Sequence, residues 1–376
     1  MRIADVTLFY APNSGGVKTY LEAKRSRIQR LQGAEHYLII PGRSSSKRDN
    51  VVTIAAPPMP FSEDYRFPIR TGAWVRALRR LNPDIIEAAD PYVPGWAVQS
   101  AARKLDIPAI AFYHSDLMRL VGQRLGRLSE YPVASYVRRF YRSFDRVLAP
   151  SQVMADTLLR CGLNNVHVQP LGVDLAMFNP EKRDPGLRAK MGIPEDRKLL
   201  IFAGRNAWEK RIPLLLETMR HLGSSYHLLL IGAMMPKEVP DNVSVIDHFT
   251  PAAELSKWMA SADALIHGGD LETFGLIALE AMASGIPVVG VKAGALAEIV
   301  PEHCGVLGEP NNPASLADAV RSLFTADPAA LGRQARRHVE QRYGWDAVVD
   351  SLLGHYRAVL KPGPSLAWQI ANQQTR

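Results

Sequence analysis

Short apolar runs alternate with longer amphipathic segments along nearly the whole chain, and the alternation stops once and then restarts. In the first half "RIADVTLFY", "YLII", "VVTIA", "DIIEAA", "AIAFYH" and "RVLAPS" read as strands. Between them "GGVKTYLEAKRSRIQRL", "TGAWVRALRRL", "GWAVQSAARKL" and "VASYVRRFYRSF" read as helices. Runs of four to six apolar residues without polar alternation are what a strand covered on both faces needs. Strand–helix alternation of this kind predicts a mostly parallel sheet with helices on both sides.

The break is "PLGVDLAMFNPEKRDPGLRAKMGIPEDR", rich in proline, glycine and charge and suited to a linker. After it the pattern resumes with strands "KLLIFAGR", "YHLLLIGA", "VSVIDHF", "DALIHG" and "PVVGV" and helices between and beyond them. The chain therefore predicts an α/β fold of two doubly wound domains facing across a cleft. The expected division is 1–178 and 179–356, with a C-terminal helix at about 357–376 packing back on the first domain. Ligands of such sheets bind beyond the carboxyl ends of strands, at the point where strand order reverses. Residues just after strands therefore carry most weight.

Composition narrows the class. A chain of 376 residues with 47% hydrophobic and 22% charged content is ordinary for a soluble globular protein. Two cysteines, Cys161 and Cys304, are too few for a disulfide framework or a cysteine-rich metal site, and a reduced, cytoplasmic setting is expected. "MRIADVTLFYAP" reads as a first strand rather than a signal peptide. No stretch approaches the ~20 apolar residues of a membrane span. The net charge of +8 is uneven: residues 1–183 are basic and 184–376 slightly acidic, as if the halves meet different partners. A nucleic-acid-binding protein is the non-enzyme reading of that charge, but no zinc-finger, homeodomain-like or RNA-binding aromatic motif accompanies it. No nucleic-acid partner is expected.

The stretch "DLETFGLIALEAMASGIPVVG" (270–290) places Glu272 before a helix and Glu280 within it. A helix starting near Gly275 offers free N–H groups and a dipole to an anion. Two carboxylates beside a phosphate site make sense if each accepts hydrogen bonds from sugar hydroxyls on either side of a diphosphate. Taken singly, Glu272 reads equally well as a helix cap and Glu280 as a solvated side chain. Arg205 and Lys210 follow a strand end in "GRNAWEKR" and would stabilise charge on a departing diphosphate. Gly15-Gly16 lacks the Gly-x-Gly-x-x-Gly spacing of a dinucleotide fingerprint. His114 follows the strand end "AIAFY"; Asp116 reads as an acceptor ligand or, better, as a helix N-cap.

"ETFGLIALEAMASGIPVVG" resembles the Glu-x7-Glu signature of retaining glycosyltransferases of family 4, which have the GT-B fold of two Rossmann-like domains. "SGGVKTYL" (14–21), "FYHSD" (112–116), "PLGVD" (170–174) and "GRNAWEKR" (204–211) resemble the other motifs of that family in the same order. The resemblance implies a retaining hexosyltransferase using a nucleotide-diphosphate sugar as substrate and no cofactor. It implies that Glu272 holds the donor sugar and Glu280 the ribose. Thr273, Phe274, Gly275 and Leu276 would form the backbone cradle, and Arg205 and Lys210 would neutralise the diphosphate. Gly15 and Gly16 would approach donor and acceptor, and His114 would lie beside the sugar. Asp247 and His248 fall where the family holds the nucleobase.

Arg211 after Lys210 resembles members that use GDP-mannose, with a UDP-hexose next. "IHGGD" departs from the commoner Pro-Ser before Glu272 and leaves the hexose open. The absence of Asp-x-Asp fits transfer without a metal. A sugar-nucleotide epimerase or phosphorylase is the alternative enzyme. The acceptor is expected to be a glycan, a lipid or a lipid-linked sugar. The arginine- and aromatic-rich segments 66–80 and 136–146 suit either adsorption to an anionic inner membrane surface or plain packing of their apolar stripes with solvated arginines.

Overall fold

The computed structural model describes residues 1–11, 15–59 and 65–360. Its chain divides into two units: 1–149, 155–169 and from 349 onward in the first, 150–154 and 170–348 in the second. The division thus splits 150–178, a stretch expected wholly in the first domain. Of the tail helix expected at about 357–376, residues 361–376 lie outside the described residues.

The first unit is built on β1 (Arg2–Val6), β2 (Glu35–Gly42), β3 (Ser46–Arg48), β4 (Val51–Ala55), β5 (Ile85–Ala88), β6 (Ala109–Phe112), β7 (Arg146–Ala149) and β8 (Val166–Val168). Their order is β3-β4-β2-β1-β5-β6-β7-β8. All neighbours are parallel except the β3–β4 edge pair. Register is set from β1, where Ile3 lies opposite His36 on one side and Ile85 on the other. Every residue of β5 and β6 is buried, the signature of a sheet covered on both faces.

Helix Gly72–Leu81 packs on helix Val93–Leu105 and buries Trp74, Val75, Leu78 and Leu81, while Arg76, Arg79 and Arg80 stay exposed. The apolar stripe of 66–80 is therefore core and is not available to a bilayer. Helix Glu130–Tyr141 buries Val137, Phe140 and Tyr141 in the same way and leaves Arg138 and Arg139 outside.

A fully buried polar group lies in the core of this unit. Lys24 Nζ reaches Asp5 Oδ1 at 2.6 Å and Glu87 Oε1 at 3.0 Å. His36 Nε2 meets the other Asp5 oxygen at 2.6 Å, and Tyr20 and Tyr356 donate their hydroxyls to Glu87. Burial alone would raise both carboxyls. Lys24 and His36 hold Asp5 below its usual range, while Glu87 ends above it. Tyr356 comes from helix Trp345–Val359, so this network explains why the chain from 349 belongs to the first unit.

The second unit is built on β9 (Lys198–Ala203), β10 (Tyr226–Ile231), β11 (Val243–Ile246), β12 (Ala264–Ile266), β13 (Val288–Val291) and β14 (Gly305–Gly308). Their order is β11-β10-β9-β12-β13-β14, all parallel. The chain winds from β9 to one edge, then from β12 to the other, so strand order reverses between β9 and β12. Segment 150–154 belongs here because Ser151 Oγ donates to the Thr273 carbonyl at 2.9 Å. Glu298 also accepts from the Gln152 and Val153 N–H groups at 2.8 and 2.6 Å.

Candidate functional site

The reversal between β9 and β12 brings two loops together at the carboxyl end of the second sheet. The loop after β9 runs from Gly204 through a 3-10 turn, Trp208–Lys210, to Arg211. The loop after β12 runs from His267 to Gly275. Lys210 Nζ donates to Glu272 Oε2 at 2.6 Å. His267, fully buried, places Nε2 3.4 Å from the same oxygen. Its Nδ1 accepts the Gly269 N–H at 3.1 Å, so in the neutral ring the proton sits on Nε2, facing Glu272. Burial pushes the His267 imidazole down. Burial would raise the Glu272 carboxyl, but Lys210 and His267 together hold it well below the usual range. Glu272 is an ionised acceptor with Lys210 as a fixed donor on one oxygen and the His267 ring beside it.

Beside this pair, Arg211 forms a forked contact with Asp270 at 3.2 and 3.3 Å, and Asn311 reaches the same carboxylate at 3.4 Å. The Arg211 guanidinium lies over the Trp208 ring, 5.6 Å from its centroid. Arg205 is exposed and, among the described residues, its guanidinium has no ion-pair or hydrogen-bond partner. Two paired cations, Lys210 and Arg211, and one that is free among the described residues, Arg205, therefore flank the loop.

Gly275 caps helix Leu276–Ala283 at φ 92°, a left-handed conformation that a side chain resists. A Cβ there would stand 3.1 Å from Ile299 Cδ1 and 3.2 Å from Glu272 Cγ. The Ala278 N–H already donates to the Gly275 carbonyl at 2.9 Å, which leaves the Leu276 and Ile277 N–H groups without an intrahelical acceptor at the helix start. Thr273 offers its carbonyl to Ser151, and Phe274 is buried edge-on to Tyr343 at 6.1 Å. Leu276 opens the helix. Glu280 has no recorded hydrogen-bond or ion-pair partner among the described residues for its carboxyl. Its residue surface is partly open, yet the carboxyl is enclosed enough that desolvation pushes it up to about 8.

Asp247 and His248 follow β11 and are exposed. One Asp247 oxygen accepts the Met235 N–H at 2.9 Å, and among the described residues no hydrogen bond or ion pair joins either residue to the Glu272 cluster. Four contributors were not anticipated from the sequence: His267, Asp270, Arg211 as a carboxylate partner, and Gly294. Gly294, at φ 57°, lies where a Cβ would press 2.8 Å from the Glu272 carbonyl, and the Ala295 N–H donates to that carbonyl at 2.9 Å. A histidine ending the apolar strand "DALIH" and a glycine within "KAGALAE" were the available signals.

In the first unit, Gly15 caps helix Gly16–Gln29, and a Cβ on it would meet nothing within 4 Å. Its sheet reverses order between β1 and β5, where Asp90 accepts from Thr7 Oγ1 at 3.0 Å and the Leu8 N–H at 2.7 Å. His114 stacks on Phe112 at 4.1 Å. Burial, with the Lys24 charge adding to it, pushes its imidazole down to about 3, so it is neutral. Asp116 caps helix Leu117–Leu125 by accepting the Arg119 N–H at 3.1 Å. That helix, helix Glu130–Tyr141 and the end of helix Gln152–Arg160 enclose a cavity of about 650 Å³ lined by Asp116, Arg119, Glu130, Tyr131 and Arg160 among others.

Two doubly wound, mostly parallel sheets, one with a basic loop at its reversal, are the GT-B architecture of glycosyltransferases. Residues 14–177 match the model of Glycosyltransferase Family 4 and residues 184–338 that of Glycosyl transferases group 1. The chain is 30% identical over 374 residues to a GDP-mannose-dependent alpha-mannosyltransferase of Mycobacterium tuberculosis, covering 96% of this chain and 97% of that one. It is 28% identical over 368 residues to the GDP-mannose-dependent alpha-(1-6)-phosphatidylinositol dimannoside mannosyltransferase of the same species, covering 94% and 95%. In fold it is similar to the sucrose-phosphate synthase of Thermosynechococcus elongatus, with TM-score 0.79, 20% identity and coverage of 95% and 98%. The chain belongs to the family 4 glycosyltransferases.

Proposed function

We propose that the protein is a retaining, metal-independent mannosyltransferase that moves mannose from GDP-mannose to a hydroxyl of a lipid or lipid-linked acceptor. The observation that carries this reading is the Lys210–Glu272–His267 cluster at the start of helix Leu276–Ala283. A donor diphosphate lies against Arg205, Lys210 and the first-turn N–H groups, where charge on the leaving group is stabilised. Glu272, ionised and anchored on one oxygen, accepts from sugar hydroxyls through the other. Glu280 accepts from the ribose hydroxyls, which replace the water its carboxyl lacks. The acceptor hydroxyl attacks the anomeric carbon on the face the diphosphate leaves. The carbon–oxygen bond to the diphosphate breaks as the new one forms, and the acceptor proton passes to the departing phosphate oxygen.

His114 is neutral and acts as a hydrogen-bonding group rather than a cation. Its assignment to the donor sugar, like that of Gly15 and Gly16, rests on family resemblance, as does that of Asp247 and His248 to the base. The choice of GDP-mannose is supported by the named relatives and by Arg211 beside Lys210.

The lipid acceptor is supported by the first unit's own surface. Leu125, Leu128 and Tyr131, at the turn joining two helices, are 76%, 86% and 80% exposed. This tip borders the arginine-bearing cavity. It gives a peripheral protein at the inner membrane face a place to touch the bilayer. No described helix is long and apolar enough to cross one.

The test is incubation of the purified chain with GDP-mannose and a lipid acceptor extract in EDTA, with the anomeric configuration of the product read by nuclear magnetic resonance. An α-mannoside formed without added metal is expected. A β-product would overturn retention, restoration only by Mg²⁺ or Mn²⁺ would overturn metal independence, and use of UDP-hexoses alone would overturn the donor.

A further inference from the structure

Away from the donor loop, the second unit gathers three metal-ligating side chains that the transfer reaction does not use. His303 and Cys304 are consecutive in the turn just before β14, and His338 lies on helix Pro328–Arg342. One donor atom from each lies within 4.8 Å of the other two. The two imidazoles meet edge to face, 5.4 Å apart. Cys304 is fully buried and unbridged. His338 Nε2 is buried without a hydrogen-bond partner, an arrangement that burial disfavours unless something completes it. His303 is exposed, so its ring is free to swing toward the other two.

We propose that His303, Cys304 and His338 form a binding site for a divalent transition metal of zinc-like preference, with water in the fourth position. Two imidazoles and one thiolate suit that class of ion. Donors around a tetrahedral zinc stand roughly 3.5 Å apart, so closing the site needs a movement of about 1 Å, within reach of the His303 side chain. On binding, the Cys304 thiol loses its proton to solvent and its sulfur bonds the metal. Burial pushes the free thiol up to about 11, and the cation reverses that by stabilising the thiolate. Burial lowers the His338 imidazole, and the neighbouring Arg342 and His303 charges lower it further, which keeps the ring neutral and able to ligate.

The site ties the loop before β14 to helix Pro328–Arg342. It also touches the donor loop from behind. Tyr343 packs on His338 at 5.8 Å and on Phe274 at 6.1 Å, next to Gly275. The ion holds structure there and takes no part in leaving-group chemistry, so its binding and the metal independence of transfer are separate claims.

The test uses the full, tag-free chain stripped of metal and titrated with Co²⁺. One equivalent should bind and give a thiolate-to-cobalt charge-transfer band, which Zn²⁺ displaces. Cys304→Ser should lose that band. His303→Ala, a change at an exposed position that the fold tolerates, should weaken binding by more than ~10-fold. Zn²⁺ should raise the melting temperature of the parent chain and leave that of His338→Ala unmoved. Uptake well below one equivalent, or an unchanged band in Cys304→Ser, which would move the ligand to Cys161, overturns the proposal.

Discussion

Glu272 and Lys210 show how a residue pair can be legible in sequence while its environment is not. Each follows a strand and sits in a recognisable motif, so their types and positions were readable. His267 and Gly294 act on Glu272 only because the chain folds back at the β9–β12 reversal and again after β13. No local pattern encodes such a contact. Replacing Glu272 or Lys210 by alanine is expected to lower kcat/KM by at least ~100-fold, the scale of losing one group that stabilises transition-state charge. Near-parental turnover in either variant, measured with saturating acceptor, would remove that residue from the mechanism.

Glu280 yields a pH prediction with a definite sign. Its carboxyl is pushed up to about 8 by desolvation, so the unliganded protein carries it protonated at neutral pH. Ribose hydroxyls bind best to the ionised form. Donor affinity should therefore rise with pH up to about 8, and donor binding at pH ~7 should release a proton. Calorimetry in buffers of different ionisation enthalpy reads that proton directly, and Glu280→Gln should abolish both effects. A flat affinity profile with no proton release would show that Glu280 does not accept from the donor.

At the scale of elements, the strand–helix alternation predicted the central strands of both sheets because buried parallel strands leave continuous apolar runs, while the short edge strands β3, β8 and β14 were not read. Helix Leu117–Leu125 escaped notice: its apolar residues have a helical period, but it is only nine residues long and carries Gly122 midway. A Cβ on Gly122 would strike the Glu130 side chain of the next helix, a tertiary contact invisible in one segment. The stripe of helix Gly72–Leu81 had the right period but two readings, and packing against helix Val93–Leu105 decided for core.

The start of helix Leu276–Ala283 offers an element-level test. Gly275→Ala forces a left-handed alanine, costing ~1–2 kcal/mol. It also sets a methyl 3.2 Å from Glu272 Cγ and 3.1 Å from Ile299 Cδ1. The melting temperature should fall by a few degrees, about 2–4 °C per kcal/mol for a unit of this size. Donor affinity should fall by more than ~10-fold, because the methyl displaces Glu272 as well as blocking the N–H groups. An affinity loss no larger than the stability loss would mean that close approach to this backbone is not part of donor binding.

Across the whole molecule, charge is the property that local motifs left unexplained. The chain carries +8 with a sequence pI near 9.5, and the excess lies in residues 1–183. Between 115 and 142 there are six arginines and two carboxylates. Arg119, Arg138, Arg139 and Arg142 are exposed there, around the exposed Leu125, Leu128 and Tyr131. Basic residues near an anionic bilayer contribute about 1 kcal/mol each, and large apolar side chains add ~1.5–3 kcal/mol each when fully buried. Neither set alone holds a protein firmly; together they do. The chain is expected to co-sediment with phosphatidylcholine vesicles containing phosphatidylglycerol, to leave pure phosphatidylcholine in solution, and to release as salt shortens the reach of the charges. Replacing Leu125, Leu128 and Tyr131 together by serine should weaken binding at least ~30-fold while salt dependence persists. Replacing Arg138, Arg139 and Arg142 by glutamine should flatten the salt dependence instead. If the serine variant binds as well as the parent and only an Arg76/Arg79/Arg80 variant detaches, the membrane face lies on helix Gly72–Leu81 after all, held by charge alone. If the serine variant changes the oligomeric state rather than vesicle binding, the tip is an interface between copies of the chain and the bilayer reading fails.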